Sequence, residues 1–177
     1  MQVLDIIEGT TVDGPGLRTA IYFAGCRHAC PGCHNPQSWD MDGGSPMSVE
    51  EIAAAVEAAG FRGITFSGGD PLYQAEPLAI LAETLRHRGH DLWCYTGFLW
   101  EEIVNDPRFR RLLSAIDVLV DGPFIQALRD ASLPFRGSSN QRLILARESL
   151  ALPSPRLWDP ALLPEFCPPS GRTGIRR

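Results

Sequence analysis

Cys26-Arg27-His28-Ala29-Cys30-Pro31-Gly32-Cys33-His34 places three thiols within eight residues, at spacings of four and three. Thiolates are soft ligands that suit zinc, copper(I) and iron–sulfur clusters. An iron–sulfur cube held by only three protein ligands keeps one iron open to another molecule. The amino-terminal Met1-Gln2-Val3-Leu4-Asp5 has neither a basic nor an apolar leader region, which predicts a cytoplasmic chain. A reducing compartment disfavours disulfides among the five cysteines, so metal binding accounts better for the cluster.

Outward from this loop, the β-branched and aromatic run Leu17 to Ala24 predicts a strand that delivers Gly25 and the cysteines at its carboxyl end. That is where loops of α/β sheets gather ligands. Val3 to Glu8 predicts an opening strand, followed by a loop broken at Gly14-Pro15-Gly16. On the other side, Ser48 and Glu51 form a capping box ahead of Val49, Ile52, Ala53 and Val56, a helical spacing that Gly60 stops.

Gly63 to Phe66 is the next strand, ending in Ser67-Gly68-Gly69-Asp70-Pro71, and Leu78, Leu81, Ala82 and Leu85 repeat the helical spacing. Leu92 to Tyr95, Ile116 to Val120 and Arg142 to Ala146 predict further strands, with helical material around Trp100 to Val104 and Phe109 to Leu113 broken at Pro107. The alternation predicts an α/β fold, an open partial (β/α) barrel of mostly parallel strands with outer helices over residues 1–151. Too few units are present to close an eight-fold barrel. Residues 152–177 are rich in proline and predict an extended tail.

Charge narrows the function. A net charge of −5 gives no footprint for direct nucleic-acid binding, and no apolar run approaches the roughly 20 residues of a membrane span. The basic count of 16 is all arginine. Without lysine, a Walker-type phosphate loop, a Schiff-base enzyme and a pyridoxal-phosphate enzyme are excluded.

Cys-x3-Cys-x2-Cys after one strand and Ser67-Gly68-Gly69-Asp70-Pro71 after the next resemble the radical S-adenosylmethionine enzymes. Asp13 to Arg18, Cys30 to Asn35, Asp117 to Phe124 and Arg136 to Gln141 narrow the resemblance to the activases of anaerobic ribonucleoside-triphosphate reductase, over about Leu4 to Leu145. The resemblance implies a [4Fe–4S] cluster on Cys26, Cys30 and Cys33, with S-adenosylmethionine on the fourth iron. It further implies that the cofactor is held near Gly32, Cys33, His34, Gly68, Gly69 and Asp70, with Asp121 contacting the cofactor or the partner. The implied partners are the reductase, whose glycine loses a hydrogen atom, and a low-potential flavodoxin or ferredoxin as electron donor. On this pattern Arg136 to Gln141 is a candidate for docking the reductase.

The three cysteines also suit zinc: His28 or His34 could complete a Cys3His site in a non-enzymatic binding module. The same radical chemistry could serve another glycyl-radical enzyme, or a small molecule as in 7-carboxy-7-deazaguanine synthase. Gly68-Gly69-Asp70 alone is also an ordinary strand-to-helix turn. Cys94 reads as a small core residue and Cys167 as an incidental thiol. His87 and His90 sit at a helix end, where the dipole favours a cation. Arg172, Arg176 and Arg177 read as solvated tail charges.

Overall fold

A computed structural model describes residues 1–162; Cys167, Arg172, Arg176 and Arg177 lie outside the described residues. The elements in order are β1 (Gln2–Thr10), β2 (Arg18–Phe23), β3 (Ser45–Pro46), α1 (Val49–Ala59), β4 (Gly63–Gly68), α2 (Ala75–His87), β5 (Asp91–Tyr95), α3 (Trp100–Ile103), α4 (Pro107–Ala115), β6 (Val118–Asp121), β7 (Arg142–Leu145) and α5 (Ala146–Ser149). They form one seven-stranded sheet in the order β3-β1-β2-β4-β5-β6-β7.

The central run β2-β4-β5-β6 is parallel. Helices α1, α2 and α3/α4 make its crossovers, as parallel pairing requires. Strands β1, β3 and β7 pair antiparallel at the two sides. The sheet stays open because its two edges, β3 and β7, do not meet. This is the open, partial (β/α) arrangement expected from the sequence.

Two-residue alternation divides the sheet into two faces. Ile21, Phe23, Ile64, Phe66, Leu92, Cys94, Leu119 and Ile144 pack on one side with the buried stripes Ile52/Val56, Leu78/Leu81/Leu85 and Leu112/Leu113 of the helices. Trp93, Val118, Val120 and Leu143 point the other way, against Tyr95, Phe135 and Trp158. Arg18 is fully buried on this second side. It donates to Thr65 Oγ1, to the Ile64 and Asp91 carbonyls and to the Asp91 carboxylate, and its guanidinium lies 5.4 Å from the Trp93 ring centre.

Local chemistry accounts for the element ends. The Ser48–Glu51 capping box is formed, with Glu51 N–H donating to Ser48 Oγ and Ser48 N–H to the Glu51 carboxylate, and Gly60 closes α1 in the left-handed conformation. Pro107 starts α4 at the position where its missing N–H costs nothing.

Around β6 and β7 the structure differs from expectation. Ile116 is not strand, because its N–H donates to Leu112 O and finishes α4, which moves β6 to Val118–Asp121. Ala146 opens α5, its N–H taken by Asp117 O. β7 follows β6 without a helical crossover and therefore runs antiparallel.

The segment after Leu152 turns back along β7. Leu145 N–H donates to Arg156 O and Trp158 N–H to Leu143 O, so Leu157 bridges Ile144. Trp158 then meets Trp93 edge-on at 5.0 Å between ring centres. Among the described residues, no helix is long and apolar enough to cross a membrane.

Candidate active site

The carboxyl ends of the four parallel strands open on one cavity of about 650 Å3. β2 delivers Cys26 there, β4 delivers Ser67, Gly68 and Gly69, β5 delivers Thr96 and Gly97, and β6 delivers Gly122. Cys30, Cys33, His34 and Asn35 line it from the cysteine loop, and Phe124, Leu133, Phe135 and Arg136 from the long β6–β7 connection.

The cysteine loop is fastened at its base by backbone hydrogen bonds. Gly25 N–H donates to Ser38 O at 2.8 Å, while Gly25 O accepts from Asp70 N–H at 2.8 Å. Gly69 N–H donates to Phe23 O, also at 2.8 Å, so the ends of β2 and β4 are stitched together. At the far side Cys33 N–H donates to Cys30 O, closing the turn through Pro31 and Gly32, and Gly32 takes φ +73°. Cys26, Cys30 and Cys33 are free thiols, each partly exposed. Burial pushes the Cys26 thiol up, a bias that a bound cation reverses.

His28 and Asp70 join the loop to the sheet. His28 Nε2 lies 2.7 Å from Asp70 Oδ2, and because a carboxylate only accepts, the shared hydrogen sits on Nε2. Asp70 is 1% exposed. Its oxygens also accept from Leu72 N–H at 3.0 Å, Gly97 N–H at 2.9 Å and the Thr96 hydroxyl.

Protein donors thus surround the carboxylate of Asp70, and the residue is not among those lining the cavity. Asp121 is likewise held by protein partners. It is fully buried, accepts from Trp100 N–H at the start of α3, and is paired with Arg142, which also grips Glu101.

The glycines are small for reasons of packing. A Cβ at Gly69 would stand 2.5 Å from Gly25 O and 2.8 Å from Ser38 O, and one at Gly68 would strike the Phe23 backbone. At Gly32, where φ is +73°, it would meet the Gln126 side chain at 2.9 Å. Gly68 and Gly69 do line the cavity, whereas Gly32 does not.

The segments Asp117 to Phe124 and Arg136 to Gln141, far apart in sequence, form one unit. Gln141 Oε1 accepts from Gly137 N–H and Ser138 N–H, Gln141 Nε2 donates to Gly122 O, and Asn140 Nδ2 donates to Pro123 O.

The donor set, three soft thiols lining one cavity, suits an iron–sulfur cluster by its chemistry. Among the described residues, no three His, Cys, Asp or Glu side chains converge on one point. A multi-iron cluster gives each thiolate an iron of its own, which three thiols spaced around one cavity can satisfy. Neither histidine considered for zinc is directed to the thiols: His28 is held by Asp70, and His34 packs on Phe124 at 4.9 Å between ring centres.

Sequence reasoning missed Thr96 and Gly97, which sit in a turn without a motif of their own. His28, offered by the sequence as a zinc ligand, instead pairs with Asp70. Cys94 is fully buried in the core, and burial pushes its thiol well up.

The class is given by the 4Fe-4S single cluster domain family, which matches residues 12–144. The anaerobic ribonucleoside-triphosphate reductase-activating protein of Salmonella typhi is 39% identical over 139 residues, covering 73% of this chain and 89% of that protein. Its counterpart in Escherichia coli K12 is 38% identical with the same coverage. The one in Enterobacteria phage T4 is 34% identical, covering 75% of this chain and 86% of that protein. A solved structure, QueE from Escherichia coli, overlaps 54% of this chain and 51% of its own, with 18% identity and a TM-score of 0.46. The chain belongs to the family of anaerobic ribonucleoside-triphosphate reductase-activating proteins.

Proposed function

We propose that this chain is the radical S-adenosylmethionine activase that installs the glycyl radical of an anaerobic ribonucleoside-triphosphate reductase. The observation that carries this is the meeting, in one cavity, of the three thiols of a single loop with the Gly68–Gly69 backbone at the adjacent strand end. Cys26, Cys30 and Cys33 would hold a [4Fe–4S] cluster. When bound, that cluster supplies the low-potential electron that splits S-adenosylmethionine, whose adenosyl fragment removes a hydrogen atom from a partner glycine.

The chain's own residues perform the remaining tasks. Asp70 and His28 tie the cysteine loop to the ends of β4 and β5, which keeps the loop beside the cavity. The Gly68 and Gly69 main chain, at the end of β4, offers carbonyls to the cofactor's ammonium group. His34, Phe124, Leu133 and Phe135 supply wall that shields the reacting atoms from water. The cluster and its electrons demand a reducing compartment, and a cytoplasmic flavodoxin or ferredoxin of low potential is the fitting donor.

Anaerobic reconstitution with iron and sulfide, followed by reductant and S-adenosylmethionine, tests the cofactor chemistry. The expected products are 5′-deoxyadenosine and methionine in equal amounts. Intact S-adenosylmethionine after incubation with cluster-loaded, reduced protein would reject the assignment.

A further inference from the structure

Phe135 holds a backbone conformation that its own side chain disfavours. Its φ is +57°, in the left-handed region that aromatic residues rarely enter, and among the described non-glycine residues only Ala29 shares that sign. Such a conformation persists only where the surroundings over-determine it. Here the Tyr95 hydroxyl donates to Phe135 O at 2.9 Å, and the Phe135 ring meets Trp93 edge-on at 5.4 Å and Trp158 at 6.1 Å between ring centres. Trp93 and Tyr95 belong to β5 and come with the sheet. Trp158 is the holder that the sheet does not supply.

Trp158 reaches this place because the chain turns back along β7. Its N–H donates to Leu143 O at 2.7 Å, and Arg156 N–H donates to Ser149 Oγ at 2.9 Å, which fixes the segment on both sides of Leu157. The segment lies beyond residue 144, where the family match ends. Its effect reaches the cavity, since Phe135 is wall there together with Leu133 and Gly137. A Cβ on Gly137 would lie 3.1 Å from the Phe124 ring and 3.5 Å from the His34 ring, so the turn that carries Phe135 abuts the thiol loop at His34. Close-packed surroundings pass a shift of Phe135 on to that wall.

We infer that Trp158 is a positioning residue of the cavity: the return segment Arg156 to Trp158 clamps Phe135 in its left-handed conformation and thereby sets the wall that borders the thiol loop. The consequence for S-adenosylmethionine rests on the cofactor site proposed above.

The test compares the anaerobically reconstituted, unaltered chain with Trp158→Ala, Trp158→Phe and Val56→Ala. Val56 is buried among the helices on the other face of the sheet, so its variant controls for lost stability alone. Two quantities are read. One is backbone hydrogen exchange over residues 128–139, where Gly137 and Ser138 N–H donate to Gln141 Oε1 and Ser139 N–H to Leu128 O. The other is equilibrium binding of S-adenosylmethionine without reductant.

Without the clamp, strain favours a relaxed turn, and the binding-competent wall becomes a minority conformation. Trp158→Ala should therefore speed exchange in the turn by at least about 10-fold and weaken S-adenosylmethionine about 3- to 10-fold. Exchange across β4 should stay slow in the same variant, which reports that it is folded. Trp158→Phe keeps a ring and should recover most of both effects. Val56→Ala should change neither by more than about 2-fold.

Unchanged exchange in the turn of Trp158→Ala would overturn the inference. So would losses of the same size in Val56→Ala, or a loosened turn with unaltered cofactor affinity. If the unaltered, cluster-loaded chain bound no S-adenosylmethionine, the cofactor site would be rejected and this inference with it, whereas a defect confined to the Trp158 variants concerns the clamp.

Discussion

His28 Nε2 stands 2.7 Å from Asp70 Oδ2, joining a residue between the first two cysteines to a buried carboxylate at the end of β4. The contact crosses 42 positions of sequence and ties the most chemically loaded loop of the chain to the rigid sheet. Asp70 is held in turn by Thr96 and Gly97, so the tie reaches the end of β5 as well.

Asp70→Asn and His28→Gln should therefore be coupled. A hydrogen bond to a charged, buried partner predicts an interaction energy of about 1.5–3 kcal/mol in a double-mutant cycle. Urea denaturation of the iron-free protein measures it, and additive losses would mean that the two side chains act independently.

Gly69→Ala should damage the site through the backbone. Its methyl group would stand 2.5 Å from Gly25 O, the acceptor that anchors the base of the cysteine loop to Asp70 N–H. Overpacking predicts a loss of about 1–3 kcal/mol, and iron retained per chain should fall with it. Full stability together with full iron retention would show that the loop base yields freely.

Glu101 and Arg142 give a prediction in pH. Hydrogen bonds from Arg142 hold the Glu101 carboxyl below its usual value of 4.5. A carboxyl lowered in the folded state contributes stability that is complete above the unfolded value and lost as pH falls through the folded value. Glu101→Gln should thus flatten the loss of stability below about pH 4.5 while changing neutral stability by less than about 1 kcal/mol, as for an exposed pair. Arg142→Met should behave differently, because it leaves Asp121 fully buried without its cation, at a cost of about 3–5 kcal/mol. Thermal melts across pH separate the two.

Trp158 belongs to the fold although it follows the last strand. It packs on Trp93 and Phe135, and Phe135 forms cavity wall. Trp158→Ala should cost about 1.5–3 kcal/mol in chemical denaturation, whereas a value near zero would show the segment to be a passive appendage.

Much of this architecture was legible in the sequence because it rests on local signals. The Ser48–Glu51 capping box, the Gly60 stop and the placing of Cys26 and Gly68 at strand ends depend on residues close in sequence. The antiparallel course of β7 and the return of Trp158 depend on pairings between distant segments, which periodicity does not encode. At the site, the cysteine spacing announced its chemistry. The protein donors that hold Asp70 and Asp121, Thr96 and Trp100 N–H among them, lie far off in sequence and did not show.

The most direct measurement is electron paramagnetic resonance on anaerobic ribonucleoside-triphosphate reductase after anaerobic incubation with the cluster-loaded chain, reductant and S-adenosylmethionine. The account predicts a glycyl radical signal on the reductase that is absent when Cys26, Cys30 or Cys33 is replaced by alanine. A reductase that stays silent while the chain carries its full iron and cleaves S-adenosylmethionine would contradict it.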